Sequence, residues 1–325
     1  MLAVVFDGEA TLRGDYPQPK AREGEALVAV RMAGVCTTDL EILKGYMNFR
    51  GVMGHEFVGQ VVSVGSRADR AWTGKRVVAE INCVCGRCDM CRRGLSNHCR
   101  HRTVLGIDSR DGAFAEYVAV PVRNLTPVPD SISDEAAVFT EPLAAAYQVV
   151  RQIQFDSGDK VVVLGDGRLG QLIVRVLKPL LRRIVLVGKH PARLEAAEKE
   201  GVQTAELAEF VPAAQSDIVI DATGSPAGFD LAMRTVRPRG TIVLKSTYSS
   251  QKAAEGKLNL APLVIHEVTV VGSRCGPFPD ALRLLAAGEV NVAALVSARF
   301  PLRQGIEALA AAADPDKIKV LIDVR

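Results

Sequence analysis

The sequence predicts an α/β fold in two parts, a small β-barrel and a doubly wound parallel sheet. At 325 residues, the chain is longer than a single hydrophobic core usually grows, which favours two domains. The first part contains β-rich runs at 26–31, 57–64 and 76–81, which glycines separate as expected of a barrel. The second part alternates apolar runs with helical patterns, which is typical of a parallel sheet covered by helices.

A strand, a glycine turn, a helix and another strand open the second part. The apolar run 160–164 precedes a G-x-G-x-x-G turn, an amphipathic stretch follows to Leu181, and 183–187 is apolar again. In such a unit the glycines let the backbone approach a pyrophosphate, which the helix N-terminus binds. A glycine-rich turn in an unrelated α/β fold is the alternative. Together with the strand units at 217–224 and 240–244, the pattern predicts these cofactor-binding residues: Gly165, Gly167, Arg168, Leu169, Gly170, Thr223 and Gly224.

The end of the second strand of this unit indicates which dinucleotide binds. A carboxylate at that position would hydrogen-bond the adenosine ribose of NAD, but this chain has Gly188. Lys189, His190 and Arg193 follow, so cations are available to a 2′-phosphate and no repelling carboxylate is expected. The sequence therefore predicts NADP in preference to NAD. The alternative is that these basic residues are simply solvated.

The overall composition points to small-molecule chemistry. Hydrophobic residues make up 48% of the chain and charged residues 24%, which excludes a disordered protein. The 40 basic and 37 acidic residues are interspersed, so no basic stripe for nucleic acid is present. No apolar stretch approaches the roughly 18 residues that span a bilayer, and no secretory signal is recognisable. We expect a cytoplasmic protein with no membrane or nucleic-acid partner.

A cluster of cysteines predicts a closed metal site. Cys85, Cys88, Cys91 and Cys99 follow a C-x2-C-x2-C-x7-C pattern, and glycines at 86 and 94 permit tight turns between them. Zinc accepts four thiolates tetrahedrally, so this spacing predicts a structural zinc ion. Unrelated reduced cysteines are the alternative. Cys83 is surplus to the four, either as a spare thiol or as an alternative ligand.

A second, open metal site is indicated upstream. Cys36 stands in Gly34-Val35-Cys36-Thr37-Thr38-Asp39, and His55 with Glu56 stands in Gly54-His55-Glu56-Phe57-Val58-Gly59. A thiolate, an imidazole and carboxylates suit catalytic zinc. Taken singly, a cysteine or a histidine is more often a packed core residue. Asp39 is placed to accept the free ring N–H of a metal-bound histidine, which would fix its tautomer.

These segments resemble the G-x-C-x-[ST]-D and G-H-E-x-x-G motifs of zinc-dependent medium-chain alcohol dehydrogenases, in the branch of sorbitol and threonine dehydrogenases. The cysteine cluster resembles the structural zinc loop of the same family. The resemblance covers nearly the whole chain. It implies a GroES-like catalytic domain at 1–143 and 274–325, with a zinc lobe at 83–99, and a Rossmann domain at 144–273. It also implies two zinc ions per chain and a homodimer or homotetramer.

The resemblance further implies roles for individual residues. Cys36 and His55 would bind the catalytic zinc, with Glu56 or Glu141 as a further ligand. For Glu141, an acid at a helix N-terminus is the alternative. Thr38 would relay the alcohol proton. Many relatives continue the relay with a histidine where this chain has Glu41, which would accept the proton or be merely solvated. Ser273 and Arg274 would lie near the nicotinamide.

The substrate implied is an alcohol or carbonyl compound, which the protein would interconvert by hydride transfer with NADP or NAD. Secondary alcohols, polyols and sugars all fit. The interval between Cys36 and His55 is shorter than in these relatives, which suggests an open pocket with Tyr46 and Phe49 as candidate walls. Two alternatives are a metal-independent quinone or enoyl reductase of the same fold and a nonenzymatic redox sensor that binds zinc or nucleotide. The first would not need Cys36 and His55, and the second does not explain the open site.

Overall fold

The computed structural model describes residues 1–247 and 259–325, which divide into two units. The first unit contains Met1–Glu141 and Phe278–Arg325, and the second contains Pro142–Pro277. The sequence-based boundaries were residues 143 and 273. The return to the first unit comes later than expected because the chain rejoins it at the start of a helix, Phe278–Ala286.

The first unit is mainly antiparallel β-structure. Numbered along the whole chain, its strands are β1 (Ala3–Phe6), β2 (Ala10–Arg13), β3 (Glu25–Val35), β4 (Gly51–Val52), β5 (Glu56–Val64), β6 (Arg76–Ala79), β7 (Asn82–Cys83), β8 (Thr103–Val104), β9 (Tyr117–Pro121), β10 (Leu125–Pro127), β17 (Val296–Pro301) and β18 (Lys319–Asp323). The largest sheet has the order β10-β6-β5-β3-β18-β17, and β9 also pairs with β3. Smaller sheets have the orders β2-β1-β4 and β7-β8.

Strand β3 lies at the centre of this sheet and brings distant segments together. It pairs antiparallel with β5, where Gly34 faces Glu56, and with β18, where Val35 faces Val320. Its residues 32–35 are buried. The segment after β3, the start of β5 and the start of β18 therefore meet at one end of the sheet.

The helices of the first unit are short. They are α1 (Thr37–Ile42), α2 (Asp89–Arg92), α3 (Asp134–Val138), α9 (Phe278–Ala286) and α10 (Gly305–Ala312), and the boundary between the units falls within α4 (Thr140–Gln152). Helix α1 begins directly after β3 because Asp39 accepts a hydrogen bond from the Cys36 backbone N–H at 2.7 Å, which caps the helix. Among the helices in the described ranges, none has the length and apolar character that crossing a membrane requires.

The second unit contains the predicted doubly wound sheet. The elements of this unit are β11 (Lys160–Leu164), α5 (Arg168–Leu177), β12 (Arg183–Gly188), α6 (Pro191–Glu198), β13 (Gln203–Glu206), β14 (Ser216–Asp221), α7 (Pro226–Thr235), β15 (Val236–Leu244), α8 (Ala261–Ile265) and β16 (Thr269–Gly272). The strand order in the sheet is β13-β12-β11-β14-β15-β16, and every neighbouring pair is parallel. The strand order reverses between β11 and β14, which is where such sheets bind ligands.

One element of this unit is shorter than the sequence pattern suggested. The amphipathic stretch reached Leu181, but α5 ends at Leu177. Pro179 lies just beyond this end, and its missing N–H and fixed ring prevent the helix from continuing. Leu181 is still buried, although it lies outside the helix.

Candidate active site and cofactor site

The open metal site predicted from the sequence is gathered in the first unit. One ligand atom each from Cys36, His55 and Glu56 lies within 4.8 Å of the other two. Zinc bonds of roughly 2.0–2.3 Å bring ligand atoms to within about 4 Å of one another, so small side-chain movements suffice to coordinate an ion. His55 and Glu56 are buried, and Cys36 is half-buried. The donor set therefore fits zinc with an open position.

Gly54 allows His55 to approach this position. Its φ of 94° is in the left-handed region. A Cβ atom there would come within 2.3 Å of the Phe114 ring, so only glycine fits the turn before β5.

Asp39 is positioned to orient the histidine. It is fully buried, and its Oδ1 lies 3.3 Å from His55 Nδ1, while its Oδ2 accepts the Cys36 N–H. This contact leaves His55 Nε2 for a metal ion. Burial alone would lower the pKa of His55, but the Asp39 carboxylate and Cys36 raise that pKa well above its usual value.

The two other residues assigned to the proton relay have different surroundings. Thr38 lies close to the candidate metal ligands, with its Oγ1 3.8 Å from Cys36 Sγ. Glu41 instead pairs with Lys44 on the surface of α1, at 2.9 Å. That arrangement resembles the solvated helix residue considered as the alternative for Glu41.

Glu141 is not part of the group formed by Cys36, His55 and Glu56. It is the second residue of α4, in the first turn, where a carboxylate interacts favourably with the helix dipole. Of the two carboxylates expected from the resemblance, Glu56 is the one whose ligand atom lies beside Cys36 and His55.

The two candidate pocket walls lie in the shortened loop between the two ligand segments, and they differ in their exposure. Phe49 is 3% exposed and packs in the core, whereas Tyr46 is 37% exposed. Gly45, Met47 and Asn48 all have positive φ angles, of 91°, 61° and 50°. The buried position of Phe49 corrects its assignment as a wall of an open pocket.

Lys319 is a buried neighbour of this site that the sequence analysis missed. Its Nζ makes a short ion pair with Glu56 Oε2 and donates to the Val35 carbonyl at 3.2 Å. Burial lowers the pKa of Lys319 to about 8, although the negative groups of Cys36 and Asp39 oppose this effect. The signal in the sequence was weak: Lys319 directly precedes the apolar run 320–322, and a lysine that such a strand carries into the core is almost never fully buried unless it is paired.

Replacing Lys319 with methionine should destabilise the first unit strongly. In the zinc-free protein, the Glu56 carboxylate would stay buried without a partner, which typically costs about 3–5 kcal/mol in the free energy of unfolding. Urea denaturation of the zinc-free protein measures this loss. Lys317→Met, in a half-buried surface pair with Asp314, is the control and should change stability much less. If Lys319→Met were no more destabilising than the double variant with Glu56→Gln, the ion pair would not be the cause.

The four cysteines of the predicted structural site converge as a tetrahedral ion requires. The Sγ atoms of Cys88 and Cys91 are 3.5 Å apart, those of Cys88 and Cys99 3.8 Å, and those of Cys85 and Cys99 3.6 Å. Four sulfurs held about 2.3 Å from a zinc ion lie about 3.8 Å from one another. The geometry therefore fits a closed zinc site with no position for substrate.

The backbone of this lobe favours thiolates. The N–H groups of Cys91 and Arg100 lower the pKa of Cys88 to about 6. Gly86 and Gly94 both have a φ of 74°, which matches the tight turns expected at these positions. Cys83 is not in the group of four: its thiol is buried, which raises its pKa to about 11.

In the second unit, the glycine turn has the form that a dinucleotide needs. Gly165 has a φ of 105°, and a Cβ on Gly170 would come within 1.9 Å of the Gly165 carbonyl oxygen. Only glycine therefore allows α5 to pack this closely on β11. Gly167 is the N-cap of α5, and a Cβ there would meet nothing closer than an Arg193 nitrogen at 3.9 Å. Arg168 and Leu169 form the first turn of the helix, whose N-terminal N–H groups suit a phosphate.

The other predicted cofactor residues lie at the carboxyl ends of neighbouring strands. Thr223 follows β14, where its hydroxyl donates to Asp221 at 2.6 Å, and Gly224 has a φ of 62°. Ser273 and Arg274 follow β16. Lys245, a buried lysine that the sequence analysis missed, donates to the Ser273 hydroxyl at 3.0 Å and to the Arg274 carbonyl at 2.6 Å. The carboxyl edge of the sheet thus carries several polar groups.

One premise of the cofactor prediction is wrong. Gly188 does end β12, with Lys189, His190 and Arg193 after it, but a carboxylate lies against it. Asp166, from the glycine turn, accepts hydrogen bonds from the backbone N–H groups of Lys189 and His190, at 2.8 Å each. The sequence showed no acid at the strand end because this one comes from a different loop.

Two domain families match the chain. The alcohol dehydrogenase GroES-like domain matches residues 22–130, and the zinc-binding dehydrogenase domain matches residues 169–287. Starvation-sensing protein RspB of Escherichia coli (strain K12) is 30% identical, over 92% of this chain and 91% of its own length. The chain belongs to the zinc-dependent medium-chain alcohol dehydrogenase family.

Other known proteins are similar to this chain over nearly its full length. D-arabitol-phosphate dehydrogenase of Enterococcus avium is 29% identical, over 95% of this chain and 92% of its own. A zinc-binding dehydrogenase from Sinorhizobium meliloti 1021, solved with NADP, superposes with a TM-score of 0.91 at 27% identity, over 99% of each chain. A protein from Escherichia coli CFT073 that is described as a short chain alcohol dehydrogenase (rspB), solved with NADH, gives a TM-score of 0.90 at 27% identity, over 100% of this chain and 99% of that one.

Membership of the medium-chain alcohol dehydrogenase family confirms the fold and the class of reaction. The protein is a zinc-dependent oxidoreductase that transfers hydride between an alcohol and a nicotinamide dinucleotide, giving the aldehyde or ketone. The metal-independent reductase and the nonenzymatic sensor are thereby set aside.

Proposed function

We propose that this dehydrogenase carries two zinc ions per chain, one held by Cys36, His55 and a carboxylate and one by the four cysteines. The observation that supports the catalytic site is the convergence of the Cys36, His55 and Glu56 ligand atoms within 4.8 Å. Glu56 is the nearer carboxylate, and Glu141 remains a candidate from the resemblance alone. A zinc ion at the catalytic site supplies Lewis acidity, which makes an alcohol proton easier to remove.

The surrounding side chains of the first unit would orient the zinc ligands and carry away the alcohol proton. Asp39 lies against His55 Nδ1 and so leaves Nε2 for a metal ion, and Lys319 pairs with the Glu56 carboxylate in the buried interior. Thr38, 3.8 Å from Cys36, is placed to accept a proton from the alcohol and pass it outward. Glu41 would receive it only after leaving Lys44, so we propose that the proton passes from Thr38 to solvent.

For the cofactor, we propose that NADP is preferred to NAD. Lys189, His190 and Arg193 lie together after β12, and such cations suit a 2′-phosphate. Gly167 and the first turn of α5 would receive the pyrophosphate, and Ser273 with Arg274 would lie near the nicotinamide.

The substrate we propose is a polyol or a related secondary alcohol. Relatives of similar length are named as dehydrogenases of D-arabitol phosphate, sorbitol and L-galactonate, each of which carries several hydroxyl groups. We also propose that the protein is cytoplasmic and that it forms a homodimer or a homotetramer. Light scattering on the purified protein measures the oligomeric state.

The proposed function is tested with a panel of polyols, secondary alcohols and sugars. Each compound is assayed with NADP and with NAD, and turnover is followed by the absorbance of the reduced nicotinamide. We expect turnover of at least one polyol, a higher kcat/KM with NADP than with NAD, and two zinc ions per chain by atomic absorption. A clear advantage for NAD would contradict the cofactor proposal. Turnover by a protein free of zinc would contradict the metal assignment.

A further inference from the structure

The Asp166 carboxylate occupies a position that the fold normally gives to another residue. It is 4% exposed and lies at the carboxyl end of the sheet, in the glycine turn that follows β11. Besides the two backbone N–H groups, its Oδ1 faces His190 Nδ1 at 2.9 Å and Arg193 Nη1 at 3.7 Å. The carboxylate is thus held at the start of the segment that follows β12.

The packing at Gly188 shows that the Asp166 carboxylate fills the space that a side chain at the end of β12 would occupy. A Cβ atom on Gly188 would meet Asp166 Oδ2 at 2.3 Å, and the next two atoms that it would approach also belong to Asp166. The φ of Gly188 lies outside the left-handed region, so the backbone itself would accept any L residue. Glycine is required at 188 because Asp166 already fills the space.

Chemically, a carboxylate at this place favours an unmodified ribose. At the end of the second strand of a dinucleotide-binding sheet, an acid accepts hydrogen bonds from the ribose hydroxyls of NAD. A carboxylate offers about four acceptor positions, and Oδ1 of Asp166 receives no backbone N–H. A 2′-phosphate would instead meet its negative charge.

We propose that Asp166 recognises the adenosine ribose from the glycine turn, and that it limits the preference for NADP created by Lys189, His190 and Arg193. The basic residues favour the 2′-phosphate of NADP, and Asp166 favours the ribose hydroxyls of NAD. The chain therefore keeps an affinity for NAD, although Gly188 itself supplies no carboxylate at the strand end. This inference rests on the proposed function, in which the second unit binds a nicotinamide dinucleotide.

The test is the ratio of the Kd values of NADH and NADPH, measured by the fluorescence of the bound nicotinamide without any substrate. Asp166→Asn preserves the size of the side chain and removes its charge. We expect it to weaken NADH and strengthen NADPH, shifting the ratio at least about tenfold, as the loss of one charge-assisted hydrogen bond and one repulsion implies. An unchanged ratio, or a shift towards NADH, would overturn the inference.

Asp217→Asn is the matched control. Asp217 also accepts a backbone N–H, from Lys160 at 2.8 Å, and an arginine, Arg237, at 2.7 Å, but it lies at the amino ends of the strands. Its replacement should leave the Kd ratio unchanged. A shift in both variants would mean that any lost carboxylate in this unit alters the ratio, and the role of Asp166 would be refuted.

If Asp166→Asn folds poorly, a variant that moves the carboxylate from position 166 to position 188 tests the same inference. Asp166→Gly combined with Gly188→Asp returns the carboxylate to the strand end and removes the three atoms nearest to a Cβ at position 188. We expect this double variant to bind NADH better than NADPH, and Gly188→Asp alone to lower Tm. A relocated carboxylate without preference for NADH would contradict the inference. If the wild-type protein bound neither dinucleotide, the proposed function itself would fall, and this inference with it.

Discussion

Cys36→Ser should lower kcat/KM by at least about 10³-fold while the protein stays folded. The serine hydroxyl is a neutral, harder ligand, so the variant loses the thiolate that offsets part of the charge on the ion and weakens zinc binding. Without the Lewis acid, the barrier to alcohol deprotonation rises by several kcal/mol, and each 1.4 kcal/mol is about tenfold in rate. Turnover and zinc content together measure the effect, with one zinc ion per chain expected in place of two.

Thr37→Ser serves as the control for this prediction. Thr37 is exposed and lies on the same turn of α1 as Cys36, but it is not among the candidate ligands. It should retain nearly full turnover and both zinc ions. Activity of Cys36→Ser within tenfold of the wild type would show that Cys36 is not a ligand of the catalytic ion.

Cys88→Ser should instead act on stability. The thiolates that remain are those of Cys85, Cys91 and Cys99, and three thiolates cannot close a tetrahedral site without the fourth. Because the binding free energy of a structural zinc ion contributes directly to folding, the loss of this ion costs several kcal/mol. For a unit of this size, that corresponds to a fall in Tm of roughly 10 °C. Thermal denaturation and zinc content measure the two effects.

Cys83→Ala is the matched control because Cys83 lies in the same lobe and is buried outside the group of four. Its thiol is 3.8 Å from the Asn124 amide nitrogen, so only a weak contact and a small volume are lost. We expect two zinc ions per chain and a smaller fall in Tm. If zinc were lost from Cys83→Ala and kept by Cys88→Ser, the assignment of the four ligands would have to change.

The parts of the site that could be predicted are those encoded over short distances along the chain. The four cysteines fall within 15 residues, so their spacing alone defines a tetrahedral site. The glycine turn lies between one strand and one helix, and its positive φ and close packing follow from local rules. Cys36 with Asp39, and His55 with Glu56, are likewise neighbours in sequence.

The parts that were missed depend on contacts between distant segments. Lys319 and Glu56 are 263 residues apart, and only the pairing of β18 with β3 brings them together. Asp166 reaches the end of β12 because the parallel sheet places two loops side by side, at a separation of 23 residues from Lys189. The sequence shows each residue, but not the strand order that makes them neighbours.

The position of β18 beside β3 also affects the order in which the two metal sites can form. The cysteine lobe needs only a local segment, so it can close around its ion soon after residue 99 has been synthesised. Glu56 of the catalytic site pairs with Lys319, which lies on β18, and β18 follows the entire second unit in the chain. This buried pair forms only when β18 has inserted between β3 and β17. Pairing across such a long loop is slow. During refolding, we therefore expect one zinc ion to be taken up early and the other only with the final closure of the sheet.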